Sequence, residues 1–391
     1  MKLLGLICAG LATLGGMTSP AQAEILAMML YETKSADSLK TLKLSGVGER
    51  REGLLIMDVD PASAQFGAVM WDMPLANDTT SHHIFYDRTM TKGYITALTK
   101  RELGILDMTK NPYRRTTIPM PDCGMGEDVT FNENNTRWYL TCMDSSTIIV
   151  GDVKTDKVIK VIQTPGVYPH GLAVNSKINR ILATSTVKGD MTNPGETIIE
   201  IDATTHEILG SHKLSLKPSP SGEAPVEILF VPGAKNPIAY ITNMFGNTLW
   251  TATWDKASRT FKTEQVFDFA TENAGVPLEI YFNKAVDTMY VTSASPGFLH
   301  IFDVSKDNGH PKLIKSIKTG QGSHHIAFTK DEKMGFVQNS LLNLPGMSEG
   351  TINVVDLEKQ EVISTIDTLV KMGMNPNVIV LLPENNAFAG H

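Results

Sequence analysis

The sequence predicts an all-β chain folded as a seven-bladed β-propeller, and three observations carry that prediction. Seven short apolar runs each end in an aspartate that opens a polar turn, at Asp58, Asp107, Asp152, Asp202, Asp255, Asp303 and Asp356, with spacings of 45 to 53 residues. A period in that range, written in short β-branched and aromatic runs, marks propeller blades of four strands each. Six of the turns are preceded by a second run that suits a half-buried strand, among them Tyr94-Ile95-Thr96, Trp138-Tyr139-Leu140-Thr141, Ala239-Tyr240-Ile241-Thr242 and Met289-Tyr290-Val291-Thr292. The seventh blade has to be composite. Asn377-Val378-Ile379-Val380-Leu381-Leu382 is a lone apolar strand near one end, while residues 27–31, the run to Asp58 and residues 66–71 supply three strands near the other. Pairing them closes the ring and removes two open sheet edges.

Along the chain, the first 23 residues read as a secretory leader. Lys2 is the positive start, residues 3–14 are an apolar stretch too short to span a bilayer, and Ala21-Gln22-Ala23 is a cleavage signal. The expected mature chain therefore begins at Glu24, in a bacterial periplasm or outside the cell. Of 391 residues, 368 remain after the leader, about 53 per blade, so residues 24–391 are expected to form a single propeller domain. No other stretch approaches the roughly 18 apolar residues of a membrane span. The net charge of −7, with no basic block, argues against nucleic acid or an anionic membrane as partner.

Two cysteines follow the leader, Cys123 and Cys142. In an oxidising compartment a disulfide is the default reading, with soft metal ligation as the alternative.

Aligning the seven first strands on their apolar residues brings one position of each blade into register. It reads His83, Asp128, Gly171, Glu227, Glu279, His325 and Asn377, at gaps of 43 to 56 residues. The residue before it reads His82, Glu127, His170, Val226, Leu278, His324 and Pro376. First strands line a propeller's channel, so these fourteen positions should converge on one small circle at its mouth, and five of the ten histidines fall among them. Imidazole and carboxylate gathered around one point suit a divalent transition metal. The expected ligands are His82, His83, His170, His324, His325 and Asp128, with Glu127, Glu227 and Glu279 as proton-transfer or orienting groups. Met143, Met191, Met244 and Met347 fall in loops on the same face, with Met125 nearby, which favours copper over zinc or another divalent metal unless these side chains only fill packing gaps. His206, His212, His310 and His391 fall outside the ring register, and His300, inside a third strand, reads as a packing residue. No nucleophile elbow, phosphate loop, dinucleotide fingerprint, haem motif or zinc-protease helix is present.

The stretch Ala224-Pro225-Val226-Glu227-Ile228-Leu229-Phe230 through Asp303, with Val276-Pro277-Leu278-Glu279-Ile280 inside it, resembles the central blades of the selenium-binding protein and methanethiol oxidase family. The run from His325-Ile326-Ala327-Phe328 to Gly350-Thr351-Ile352 does too, and the paired His82-His83 is similar to a double histidine early in that family. The chain departs from the family at Ile84-Phe85-Tyr86-Asp87-Arg88, where a cysteine-containing segment is absent, and at Glu127-Asp128, which replaces a histidine. It is equally similar to the YVTN-type propellers of bacterial envelopes, through Ile241-Thr242-Asn243 and Val291-Thr292-Ser293, and more distantly to lactonase-type propellers. The first resemblance implies a metal-bearing channel and an oxidoreductase acting on a small sulfur compound or another small reductant. The second implies a non-catalytic periplasmic binding or scaffold propeller. The third implies a metal-dependent, lactonase-like hydrolase.

Overall fold

A computed structural model describes residues 24–34 and 51–390. The leader expected over residues 1–23 and the terminal His391 lie outside the described residues. Seven antiparallel sheets of four strands form the ring, as the periodicity predicts. The innermost strands of blades 1 to 6 are Ser81–Tyr86, Gly126–Phe131, Pro169–Asn175, Pro225–Phe230, Pro277–Phe282 and Ser323–Phe328. Blade 7 is the composite one, with Met374–Leu381 innermost, then Leu26–Thr33, Glu52–Asp58 and Val69–Pro74. The seam runs in antiparallel register from Ala27 opposite Leu381 to Thr33 opposite Met374. Its outer strand starts three residues later than the sequence suggests, because Gly67 takes a left-handed backbone (φ 81°) and its N–H closes a turn onto the Asp58 carbonyl.

The seven aspartates of the repeat end the seven third strands, and their role is local. A side-chain oxygen of each accepts the backbone N–H two or three residues on, at 2.8–2.9 Å, in Asp58, Asp107, Asp152, Asp202, Asp255, Asp303 and Asp356 alike. The carboxylate holds the turn that aims the outer strand back along the sheet, which is why the repeat is legible as Asp.

Alternate residues of a strand point to opposite faces, so each sheet packs against both neighbours. Met28, Leu30 and Leu54 of blade 7 meet Ile84, Ile95 and Leu106 of blade 1, while Met29, Tyr31 and Leu55 meet Phe336, Ile352 and Val354 of blade 6. The hydrophobic interior is thus divided among the blade interfaces. Innermost strands are buried over most or all of their length and outermost strands such as Val158–Gln163 are largely exposed. Cys123 and Cys142 form a disulfide with Cα atoms 5.1 Å apart, tying the loop that enters blade 2 to that blade's second strand. Among the described residues no helix is long and apolar enough to cross a membrane.

Candidate metal centre

In blades 1 to 6 the innermost strand slips register by one residue at the aligned positions. Ser81 faces Ala97 and Ile84 faces Ile95, leaving His82 and His83 opposite Thr96 alone. The same slip falls at Glu127-Asp128, His170-Gly171, Val226-Glu227, Leu278-Glu279 and His324-His325. In blade 7, Asn377 is the skipped residue between Pro376 and Val378. These are β-bulges, and they explain the dipeptides. In a regular strand two consecutive side chains diverge to opposite faces, whereas a bulge re-aims them, so both members of His82-His83 or His324-His325 reach the channel. Their rings lie face to face or tilted, with centroids 3.8 and 4.0 Å apart.

A bulge leaves a backbone N–H without its ladder partner, and here the second strand supplies one. Thr96 Oγ1 accepts the His83 N–H (3.1 Å), Thr141 Oγ1 that of Asp128 (2.9 Å), Thr242 Oγ1 that of Glu227 (3.2 Å), Thr292 Oγ1 that of Glu279 (3.2 Å), and Gln338 Oε1 that of His325 (3.2 Å). These are the final residues of the Tyr-Ile-Thr type runs, legible in the sequence as strand but not as support for the ring. Blade 3 is the exception. A Cβ on Gly171 would lie 2.4 Å from the Val226 carbonyl oxygen, so the neighbouring backbone occupies the place of a side chain.

All nine residues expected at the site converge. His83 Nδ1 lies 3.0 Å from Asp128 Oδ1, and His82 Nε2 3.3 Å from Glu127 Oε2. His170 lies between the two carboxyls, 3.6 Å from each, and His324 Nε2 is 3.3 Å from Glu279 Oε1. Ring centroids of His83 lie 4.6 Å from His325, 5.6 Å from His324 and 6.1 Å from His170. Two groups have donor atoms within 4.8 Å of one another: His83, His324 and His325, and His82, Glu127 and His170. Glu127, expected as a proton-transfer group, thus stands in a donor set. Asp128 stands beside both sets, against His83 and His170.

The site is not at an open mouth, as the sequence suggests. Every one of these residues is buried, His170 the least so at 9 % exposure. On the face where the innermost strands begin, Met125, Met143, Met191, Met244 and Met347 pack with Val187, Leu341 and the two apolar ring positions, Val226 and Leu278. The methionines converge above the ring as a cap, and their thioethers are engaged in apolar packing. The opening lies on the other side. A cavity of about 400 Å³ runs from the opposite face to Asp128 and Glu227. Its wall includes Phe85, Phe131, Leu172, Tyr281 and Phe282, with Arg88 and residues 387–390 of the C-terminal segment. That segment crosses the face from blade 6, where the Ala387 N–H donates to the Phe328 carbonyl, to blade 1, where Tyr86 and Gly390 exchange two backbone hydrogen bonds. Neither the aromatic wall nor this strap was readable as part of the site, because their residues lie on bulge-shifted positions and in a terminal coil.

Burial sets the protonation of the cluster. It drives the His82 imidazole far below its ordinary range, with His83, His324 and His170 adding repulsion. It lowers His83 to about 4 despite the Asp128 hydrogen bond. His170 goes the other way, to about 9, since the Asp128 and Glu127 carboxyls outweigh its loss of water. Glu127 rises to about 8 through burial, and Glu227 well above the usual carboxylate range through burial and its neighbours Asp128 and Glu279. Asp128 stays well below that range because His170 and His83 overcome its burial. His82 and His83 are therefore neutral at pH 7, the form in which imidazole binds metal. His82 Nδ1, His83 Nε2 and His324 Nδ1 are buried without a hydrogen-bond partner among the described residues. An unpaired buried polar atom is costly, and a cation is one partner that would satisfy it.

The architecture defines a seven-bladed propeller whose bulged inner strands gather imidazole and carboxyl groups at a buried centre. Solved structures of the same fold include a hypothetical selenium-binding protein from Sulfolobus tokodaii, at TM-score 0.72 and 12% identity over 94% of this chain and 95% of that one. A putative 6-phosphogluconolactonase from Bacteroides fragilis aligns at TM-score 0.62 and 13% identity, over 92% and 98%. Hydrazine synthase from Kuenenia stuttgartiensis aligns at TM-score 0.54 and 13% identity, over 73% and 78%. At such identities the likeness concerns the fold alone. No family model and no curated protein matches the sequence.

Proposed function

We propose that this protein is a periplasmic or secreted metal-dependent oxidoreductase that binds a transition metal, copper first among the candidates, at the buried ring and acts on a small reduced compound such as a thiol or sulfide. One observation carries the reading. Five imidazoles and four carboxyls converge in a buried place where nitrogens of His82, His83 and His324 have no hydrogen-bond partner among the described residues. A site built for packing alone would not leave them so. Nitrogen-rich ligation suits copper, and the bulges fix the donors on sheet backbone rather than on mobile loops. A bound copper ion would supply one-electron chemistry.

The protein's own groups supply the rest. The aromatic wall of the cavity accepts an apolar substrate body, and a channel of about 400 Å³ suits a small molecule and excludes a macromolecule. Glu227, reached from the cavity and held protonated by its surroundings, is placed to donate or return a proton to whatever binds there. His170, between Glu127 and Asp128, orients both.

Metal analysis of protein purified from the periplasm tests the reading. Copper at stoichiometric level, reduced by His83→Ala, His170→Ala or His325→Ala and untouched by His206→Ala or His310→Ala, supports it. No metal in the wild type, and none taken up from copper or zinc salts, returns the chain to the class of binding or scaffold propellers.

A further inference from the structure

We infer that the ring holds two metal ions side by side. This rests on the metal-centre reading above and goes beyond it in number and arrangement. The six candidate donors divide into two sets with no shared member, His83–His324–His325 and His82–Glu127–His170. A metal–nitrogen bond near 2 Å requires donors within about 4 Å of one another, so each set, at 4.8 Å or less, closes on an ion by movements under about 1 Å. Each set supplies three protein ligands, the number at which a transition metal keeps a position open for water or substrate.

The bulges produce the division. His82 and His83 are consecutive, and their rings stack at 3.8 Å, yet they belong to different sets. The stacked pair is the partition between the two. His83 and His170 centroids are 6.1 Å apart, as are those of His82 and His324, so the sets are adjacent rather than remote. Their chemistry differs. The first is all nitrogen, while the second has a carboxylate from Glu127, with Asp128 against His83 on one side and His170 on the other. Each set also has a buried imidazole nitrogen with no hydrogen-bond partner among the described residues: His83 Nε2 and His324 Nδ1 in the first, His82 Nδ1 in the second.

Copper(II) titration of the metal-free protein, with metal counted after desalting and paramagnetic resonance recorded on the same samples, separates the possibilities. The expected result is two equivalents in the wild type with a spin count well below the copper bound, because two copper(II) ions a few ångströms apart couple magnetically. His324→Gln and His170→Gln should each retain one equivalent with full spin intensity, and the double variant none. Circular dichroism and the intact disulfide report folding, and His325→Gln with His82→Gln is the second pair should either first variant unfold. One equivalent in the wild type, lost in both single variants, overturns the two-ion arrangement while leaving a single metal centre. Two equivalents with full spin intensity overturns the adjacency. Absence of copper from the wild type removes both readings.

Discussion

The Thr141 hydroxyl oxygen lies 2.9 Å from the backbone nitrogen of Asp128 and accepts its N–H, although the two residues belong to different strands. The same relationship holds in four other blades, through Thr96, Thr242, Thr292 and Gln338. In five blades a residue near the end of the second strand, threonine in four and glutamine in one, is therefore the partner of a bulge as well as a strand residue.

That relationship predicts the behaviour of Thr141→Val. Valine matches the shape and cannot accept, so a buried N–H loses its partner, at a cost of about 1–3 kcal/mol. Urea unfolding should show the midpoint shift at unchanged slope, and copper affinity should fall because Asp128 and Glu127 are no longer held. Thr141→Ser, which keeps the hydroxyl, should recover both. Equal stability of the valine variant would mean that the bulge does not need its cap.

Truncation tests the seam. Ending the chain after Asp367 removes Met374–Leu381, the innermost strand of blade 7, and leaves Leu26–Thr33 as a bare edge beside a broken ring. Insoluble or protease-sensitive protein is expected. A truncated chain melting within a few degrees of the full one would contradict closure by this strand.

Much of this fold was legible because each blade repeats the same local solution. Asp58 and its six counterparts mark turns by an interaction within three residues, so their spacing reports blade count directly. The ring was legible for a related reason: a bulge at a fixed place in each innermost strand keeps His83, Asp128, Glu227, Glu279 and His325 in register. What sequence did not reveal depends on contacts between blades and on depth. The cap formed by Met143, Met244 and Met347 buries a ring expected at an open mouth, and the cavity that reaches Asp128 and Glu227 lies on the far face among Phe85, Tyr281 and residues 387–390. The donor partition, with Glu127 in one set and Asp128 beside both, follows from side-chain direction at a bulge. No spacing rule encodes that.

The disulfide makes a separate prediction. Cys123 and Cys142 enclose a loop of sequence separation 19, so breaking it should destabilise the fold by about 3 kcal/mol on a chain-entropy account. Thiol titration of denatured, unreduced mature protein should find no free thiol, and Cys123→Ala should lower the urea midpoint. Two free thiols would show that the bridge does not form.

His300 gives a pH dependence independent of the ring. It is buried in the third strand of blade 5, with its nitrogens 2.9 Å from the hydroxyls of Ser293 and Ser316, and burial lowers its pKa to about 3. The unfolded chain takes up this proton near pH 6.5 and the native chain only near pH 3. The stability contributed is therefore complete above pH 6.5 and lost as pH falls toward 3, by at most about 1.4 kcal/mol per pH unit. His300→Gln, which can still bond both serines, should show a shallower fall in stability between pH 6 and 4 than the wild type. Parallel curves would show that His300 protonates in the folded state.

The last prediction concerns the route to the centre. If the cavity lined by Phe85, Phe131 and Tyr281 is the entrance, and the methionine cap is closed, changes on the two faces should affect exchange with solvent differently. Ala389→Trp adds bulk to the strap along the cavity wall without touching a blade core, and should slow removal of bound copper by a chelator several-fold at unchanged affinity. Ending the chain after Leu382 removes the strap, leaves every blade strand in place, and should speed it. Met347→Leu, on the cap, should change neither rate, since a side chain of similar volume keeps that face packed. Slower exchange with Met347→Leu and none with Ala389→Trp would place the entrance under the methionines instead.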